Sequence, residues 1–192
     1  QADEMLFFEG EIGKGLYIIQ DGRVKLYKIS PEGRELIVNV MADGDSFNEV
    51  PVFDSGKTPI NAQAIEDSEI WIVQAEAIRS MVETHPEVSY AIIQNLSDNL
   101  RMLVDIAAEL TFYQITTRLA RLILTLSHEE LAGETSQRLT RDELAGRLGS
   151  VREVVARSLK VLEEAGAVEI RRRKIHIADR DKLLEWAQLP EN

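Results

Sequence analysis

Toward the C-terminal end of the sequence, Arg152 and Glu153 are followed by Arg157, which sets two guanidinium groups and a carboxylate close together. On a helix, positions 153 and 157 are neighbours one turn apart, and 152 lies beside them. A guanidinium fork matches the O6/N7 edge of guanine, and a carboxylate accepts from the amino group of cytosine. These residue types in this spacing could therefore read base edges in a major groove. The competing interpretation is a solvated charged face on an ordinary, or even protein-binding, helix pair. Catalytic chemistry finds no comparable support. There is no phosphate-cradling glycine loop and no histidine paired with a nucleophile and an acid in a motif. The absence of cysteine removes disulfides, thiolate chemistry, zinc–cysteine sites and cysteine-ligated iron–sulfur clusters together. The expectation is a non-enzyme with no catalytic and no metal-binding residues.

The elements that must present the triad are legible around it. Thr140-Arg141-Asp142-Glu143 has the form of a capping box, and Ser150-Val151-Arg152-Glu153 repeats it ten residues on. Two helix starts so close leave room for one short helix, 141 to about 148, a tight turn at Gly149, and a second helix from 151 to about 165. Ala145 is small where the helices must approach, Gly149 tolerates a left-handed turn, and Leu144, Leu148, Val155, Leu159 and Leu162 supply a shared core. This is a helix-turn-helix, whose second helix enters a major groove. Val168-Glu169-Ile170-Arg171 and Lys174-Ile175-His176-Ile177 form a two-stranded wing with Arg172 and Arg173 at its tip. Asp179 caps a last short helix.

Charge is distributed accordingly. Residues 136–180 hold eleven Lys/Arg against seven Asp/Glu, a local +4 within a chain of net charge −11. A basic end on an acidic body is the footprint of a nucleic-acid module attached to something else. No apolar run is long enough to span a bilayer, and no signal-peptide pattern opens the chain. The cysteine-free composition is compatible with a reducing cytoplasm.

Upstream, residues 86–111 read as one long helix with Pro86 in its first turn. Ser89, Ile93, Leu96, Leu100, Leu103, Ala107 and Leu110 recur in steps of four and three, the spacing of a coiled-coil seam. Polar residues lie between them, so the helix reads either as half of a homodimer or as a core helix of one domain. Before it, short apolar runs alternate with turns at Asp21-Gly22, Pro31-Glu32-Gly33, Asp43-Gly44-Asp45 and Ser55-Gly56, which indicates an antiparallel sandwich or barrel. The opening segment is already strand-like at residues 5–8, so an N-terminal piece is expected to be missing. A short helix is expected over 75–84 and a second apolar helix over 114–127, with a polar connector over 128–137.

Strands, long helix and winged helix-turn-helix, in that order, resemble the Crp/Fnr family of bacterial transcription regulators. The resemblance rests on Gly44-Asp45-Ser46-Phe47-Asn48-Glu49, on the helix beginning at Pro86, and on Leu148-Gly149-Ser150-Val151-Arg152-Glu153-Val154-Val155-Ala156-Arg157. It implies an α+β chain with a cyclic-nucleotide-binding-like β-roll (1–85), a dimerisation helix (86–111) and a winged helix-turn-helix domain (112–192). It further implies a cytoplasmic homodimer that binds palindromic TGTGA-like sites on double-stranded DNA, with RNA polymerase as a further partner. Arg152 and Arg157 would contact guanine and Glu153 cytosine, with Ser150, Thr140, Arg172 and Arg173 as supporting DNA contacts.

The sensor departs from the family pattern. Cyclic-nucleotide binders carry Gly-Glu in the phosphate cassette and an Arg-Ser or Arg-Thr pair about ten residues later. Here Asn48 precedes Glu49, Pro59-Ile60 occupy the pair, and Leu103-Val104 stand where the long helix would meet adenine. Without its arginine a cyclic phosphate loses its main charge-assisted bond, so cyclic AMP is disfavoured. Phe47, Asn48, Glu49, Val50, Ile60, Asn61, Arg101 and Leu103 are the pocket walls the resemblance implies. Haem, with His85 as a conceivable ligand, a small organic acid, or no effector at all remain compatible. Equally, Glu49 and Arg101 could simply hold local structure. The alternative for the whole chain is a regulatory ligand- or protein-binding module without sequence-specific DNA binding.

Overall fold

The computed structural model describes residues 1–126, 140–171 and 174–188. The chain is α+β and divides into two compact units, residues 1–28 with 37–106, and residues 29–36 with 107–192.

In the first unit, save for Ile29, Glu35 and Leu36 at its margin, β1 (Met5–Phe7), β2 (Gly15–Asp21), β3 (Val24–Ile29), β4 (Glu35–Met41), β5 (Ser46–Phe47), β6 (Asn61–Ala64) and β7 (Glu69–Gln74) form two sheets. Their orders are β1-β6-β3-β4 and β5-β2-β7. Their inner faces meet on an aromatic cluster: Tyr17 stacks on Phe47 at 5.3 Å between ring centres, and Phe7 tilts against Tyr17 at 5.1 Å. Ile19, Val24, Met41 and Ala62 complete this core. Offset and tilted ring pairs of this kind add roughly 0.5–1.5 kcal/mol beyond the apolar area they bury.

A six-residue helix, α1 (Glu49–Asp54), follows β5, between the turns expected at Asp43-Gly44-Asp45 and Ser55-Gly56. Its entry residue Asn48 is left-handed, with φ of 76°, a conformation that asparagine adopts more readily than most residues. The Arg79 guanidinium of α2 (Ala75–Thr84) donates to the Val52 carbonyl at 2.6 Å, satisfying an acceptor that so short a helix leaves free. His85 then takes an extended conformation, as a residue before proline must, and α3 (Pro86–Phe112) begins.

Along α3, Ile92, Asn95, Asn99, Met102 and Ile106 are half-buried, and no residue of the helix is fully buried. The stripe beside them is open: Ile93, Leu96, Leu100, Leu103 and Leu110 are between 40% and 63% exposed.

The second unit contains α4 (Ile115–Thr125), α5 (Arg141–Arg147), α6 (Arg152–Glu164), the hairpin β8 (Val168–Arg171) and β9 (Lys174–Ile177), and α7 (Arg180–Ala187). Leu119, Ile123, Leu144, Val155, Leu162 and Leu183 are essentially inaccessible and form one core with Leu148, Leu159 and Ile175. Each such side chain stabilises by roughly 1.5–3 kcal/mol when fully buried. The connector expected over 128–137 lies outside the described residues.

Candidate nucleic-acid interface and effector site

Thr140 caps α5: its side-chain oxygen accepts from the Glu143 N–H at 3.1 Å. The reciprocal half of the expected box is replaced, because the Glu143 carboxylate accepts from Arg147 at 3.0 Å, one turn on. The second expected box does not form. The N-cap of α6 is Val151, with no side-chain cap bond. Ser150 instead donates its backbone N–H to the Ala145 carbonyl at 2.8 Å, so it closes the α5 end and not the α6 start. The turn demands a left-handed residue, and Gly149 supplies it with φ of 56°.

Helix α6 is divided lengthwise. Val155, Ser158, Leu159 and Leu162 point into the core, while Arg152, Glu153, Arg157 and Lys160 are exposed on the other side. The buried stripe is the i, i+3, i+4, i+7 pattern of a surface helix, and it leaves the triad on the outward face. From behind, α4 steadies the pair. The Ser158 hydroxyl, buried, accepts from Thr116 at 3.1 Å, and Arg118 donates to the Leu148 carbonyl at the end of α5. Arg152 is paired within the helix-turn-helix, its Nη1 lying 3.3 Å from the Asp142 carboxylate. Thr140 is exposed and Ser150 half-buried.

In the wing, Ile170 pairs with Ile175 and Arg171 with Lys174. Arg171 is matched by Glu169 at 2.6 Å. Arg172 and Arg173 lie outside the described residues. Asp179 caps α7, accepting from the N–H groups of Asp181 and Lys182 at 3.1 Å.

The residues expected to line an effector pocket separate into three groups. Phe47 belongs to the aromatic core, Ile60 packs against it, and the Asn61 side chain is spent on backbone, accepting from Glu9 N–H and donating to the Tyr27 carbonyl. Val50, Arg101 and Leu103 are exposed. Asn48 and Glu49 form the third group. Both are buried; Asn48 donates to the Gly15 carbonyl at 2.9 Å, while its Oδ1 has no partner. Glu49 accepts from the Ser46 hydroxyl at 3.2 Å. Burial pushes the Glu49 carboxyl above the usual carboxylate range, opposed by hydrogen bonds from its own backbone and from Ser46.

Sequence reasoning missed Ser46 and Asn95: Asn95 donates to Ser46 at 3.1 Å, linking cassette to helix across 49 positions. No local pattern carries that signal. Elsewhere on the roll, Asp21, Arg23, Asp43, Glu66 and Asp67 line a cleft of about 540 Å³ that includes none of the expected wall residues. Its side chains are engaged locally, Asp43 with the Gly22 N–H and Arg23 with Glu66. His85 shares a hydrogen bond between its Nδ1 and the Thr84 hydroxyl.

Comparison with known proteins agrees with both halves of this geometry. The profile of the cyclic nucleotide-binding domain matches residues 1–85, and that of the Crp-like helix-turn-helix domain matches residues 117–186. A CRP-like cAMP-activated global transcriptional regulator of Mycobacterium tuberculosis is 30% identical over 188 residues, covering 95% of this chain and 84% of that protein. The cyclic AMP receptor protein of Thermus thermophilus is 30% identical over 166 residues, covering 86% and 76%. A solved Crp/Fnr regulator of Thermus thermophilus matches with a TM-score of 0.80 at 26% identity, covering 98% of this chain and 96% of that one. With a β-roll, a long helix and a helix-turn-helix whose outward face carries Arg152, Glu153 and Arg157, the chain belongs to the Crp/Fnr family of transcriptional regulators.

Proposed function

We propose that this regulator acts as a homodimer that presents two copies of α6 to a palindrome of TGTGA-like half-sites. Arg152 and Arg157 engage guanine, Glu153 accepts from cytosine, and Thr140, Ser150 and the wing arginines Arg172 and Arg173 contact the flanking backbone. The observation that carries this reading is the lengthwise division of α6, which buries Val155, Leu159 and Leu162 and turns the triad outward. Half-sites centred one helical turn apart, about 34–36 Å, match a two-fold protein.

The second copy is held by the open stripe of α3. Ile93, Leu96, Leu100, Leu103, Ala107 and Leu110 keep heptad spacing and are exposed. A run of large apolar side chains in water marks an interface, and heptad spacing selects another helix as the occupant.

The β-roll senses an effector other than cyclic AMP, or acts without one. Its cassette offers two acceptors, the Asn48 amide oxygen and the Glu49 carboxylate, while Thr58, Pro59 and Ile60 bring no cation to meet a phosphate. Two relatives are named for cyclic AMP, but an anion facing a buried carboxylate without a guanidinium is unfavourable. Where the regulator activates, RNA polymerase is its partner. Selection from randomised duplexes tests the core of the proposal: a symmetric, guanine-containing consensus is expected, and its absence would overturn sequence-specific recognition. Isothermal titration with cyclic AMP, expected to show no heat of binding, tests the sensor.

A further inference from the structure

Four polar side chains form a single directed line in the first unit. Asn99 Nδ2 donates to Asn95 Oδ1 at 2.7 Å, Asn95 Nδ2 donates to Ser46 Oγ at 3.1 Å, and Ser46 Oγ is 3.2 Å from Glu49 Oε1, to which it donates. Every donor points the same way, toward the carboxylate. Such chains polarise cooperatively, because each hydroxyl or amide that donates becomes a better acceptor at its other end. The direction is therefore set at one terminus. A carboxylate is acceptor-only and forces the Ser46 hydroxyl to face it. That leaves the Ser46 oxygen lone pairs for Asn95 and turns the Asn95 amide nitrogen toward the roll and its oxygen toward Asn99.

The line ends where it matters for the helix. Asn95 and Asn99 are one turn apart on α3, each followed directly by a seam position, Leu96 and Leu100. Both amides are half-buried, whereas the adjacent leucines are 40% and 63% exposed. The amides thus lie at the boundary between the face α3 packs on its own roll and the face it leaves open.

We propose that Ser46 and Asn95 are positioning residues that pass the state of Glu49 to the middle of α3. An occupant that engages the Glu49 carboxylate would thereby reset the amides at Asn95 and Asn99 beside the dimer seam. The inference rests on the reading of the roll as a sensor and of α3 as the dimer helix. The wiring itself is independent of what the effector is. When an occupant draws the carboxylate to itself, Ser46 loses its acceptor, its hydroxyl rotates, and the energetically preferred state of the Asn95 amide inverts. Asn99 follows because its nitrogen can no longer find an oxygen.

The test uses the full chain labelled with nitrogen-15 at asparagine, reading the side-chain amide signals of Asn95 and Asn99. Glu49→Gln, which keeps the volume and removes the obligatory acceptor, is expected to displace both pairs of signals. In a Ser46→Ala background the same replacement is expected to leave Asn99 unmoved. Asn95→Leu supplies the same break from the helix side should the serine variant fold poorly. Val52→Ala, on α1 but outside the line, controls for repacking. Equal displacement of Asn99 with and without the Ser46 or Asn95 link would overturn the proposal. So would stationary signals in Glu49→Gln, or a Val52→Ala spectrum that reproduces the shift. Duplex affinity measured on the same samples separates the two levels: loss of all DNA binding would sink the regulator mechanism, while the amide signals alone decide the relay.

Discussion

Asp142 of α5 holds Arg152 of α6 in an ion pair, Nη1 to Oδ2 at 3.3 Å, with both side chains more than half exposed. The pair spans the helix-turn-helix and places an acid beside the guanidinium proposed to read guanine. In water so exposed a pair contributes little stability, in the range of 0–1 kcal/mol, so its consequence is electrostatic. A phosphate and the Asp142 carboxylate compete for the same guanidinium, and the carboxylate repels the backbone of any duplex. Asp142→Asn is therefore expected to strengthen binding to random duplex and to lower the ratio of specific to non-specific affinity, with a melting temperature almost unchanged. Fluorescence anisotropy on a consensus and a scrambled duplex at matched salt checks this, and weaker binding to both would refute it.

Arg157 carries the opposite expectation. It is exposed on the outward side of α6, opposite the buried Val155, Leu159 and Leu162. Arg157→Ala is expected to cost about 1–3 kcal/mol on the selected site while changing non-specific affinity little. An equal loss on specific and random duplexes would instead make Arg157 a phosphate contact.

The seam on α3 is tested by charge. Leu96→Glu with Leu100→Glu places like charges opposite one another in the proposed dimer, yet both side chains are already 40% or more exposed in the single chain. Folding should survive and assembly should not. Sedimentation velocity is expected to show a monomer, and operator binding is expected to fall steeply because two half-sites are no longer linked. An unchanged sedimentation coefficient would mean that the helix serves a different contact.

For Glu49 the sign of the pH dependence follows from burial. Its carboxyl titrates above the ordinary 4.5, chiefly because desolvation disfavours the anion. The folded state thus binds the proton more tightly than the unfolded chain. The associated stability is fully present below the unfolded value and is lost as pH rises through the folded one. Glu49→Gln has no proton to lose. It is expected to be more stable than the parent at pH 7, with the difference closing as pH falls toward 4.5 and below. Thermal unfolding across that range measures it, and a parent that gains stability over the variant on going to neutral pH would contradict the burial argument.

What the sequence determines alone is whatever depends on near neighbours. The helix-turn-helix is legible because a capping hydroxyl at Thr140, a glycine at 149 and apolar residues at 155, 159 and 162 act within a few residues of one another. The long helix and its open stripe are legible because heptad spacing is a property of one segment. Local rules misread two places. Ser150 has the residue type of an N-cap, but the chain needs it to close α5, so Val151 begins α6 uncapped. Helix α1 falls between two expected turns and has no expected element of its own, because six residues containing Pro51 cannot sustain a helix unaided; Arg79, contributed by α2, completes it.

Only the tertiary structure brings Ser46 against Asn95 and buries Glu49. The first comes from packing α3 on the roll and the second from seating α1 against β2 and α2; both are set by surfaces far apart in the chain and leave no trace in the spacing of residues along it.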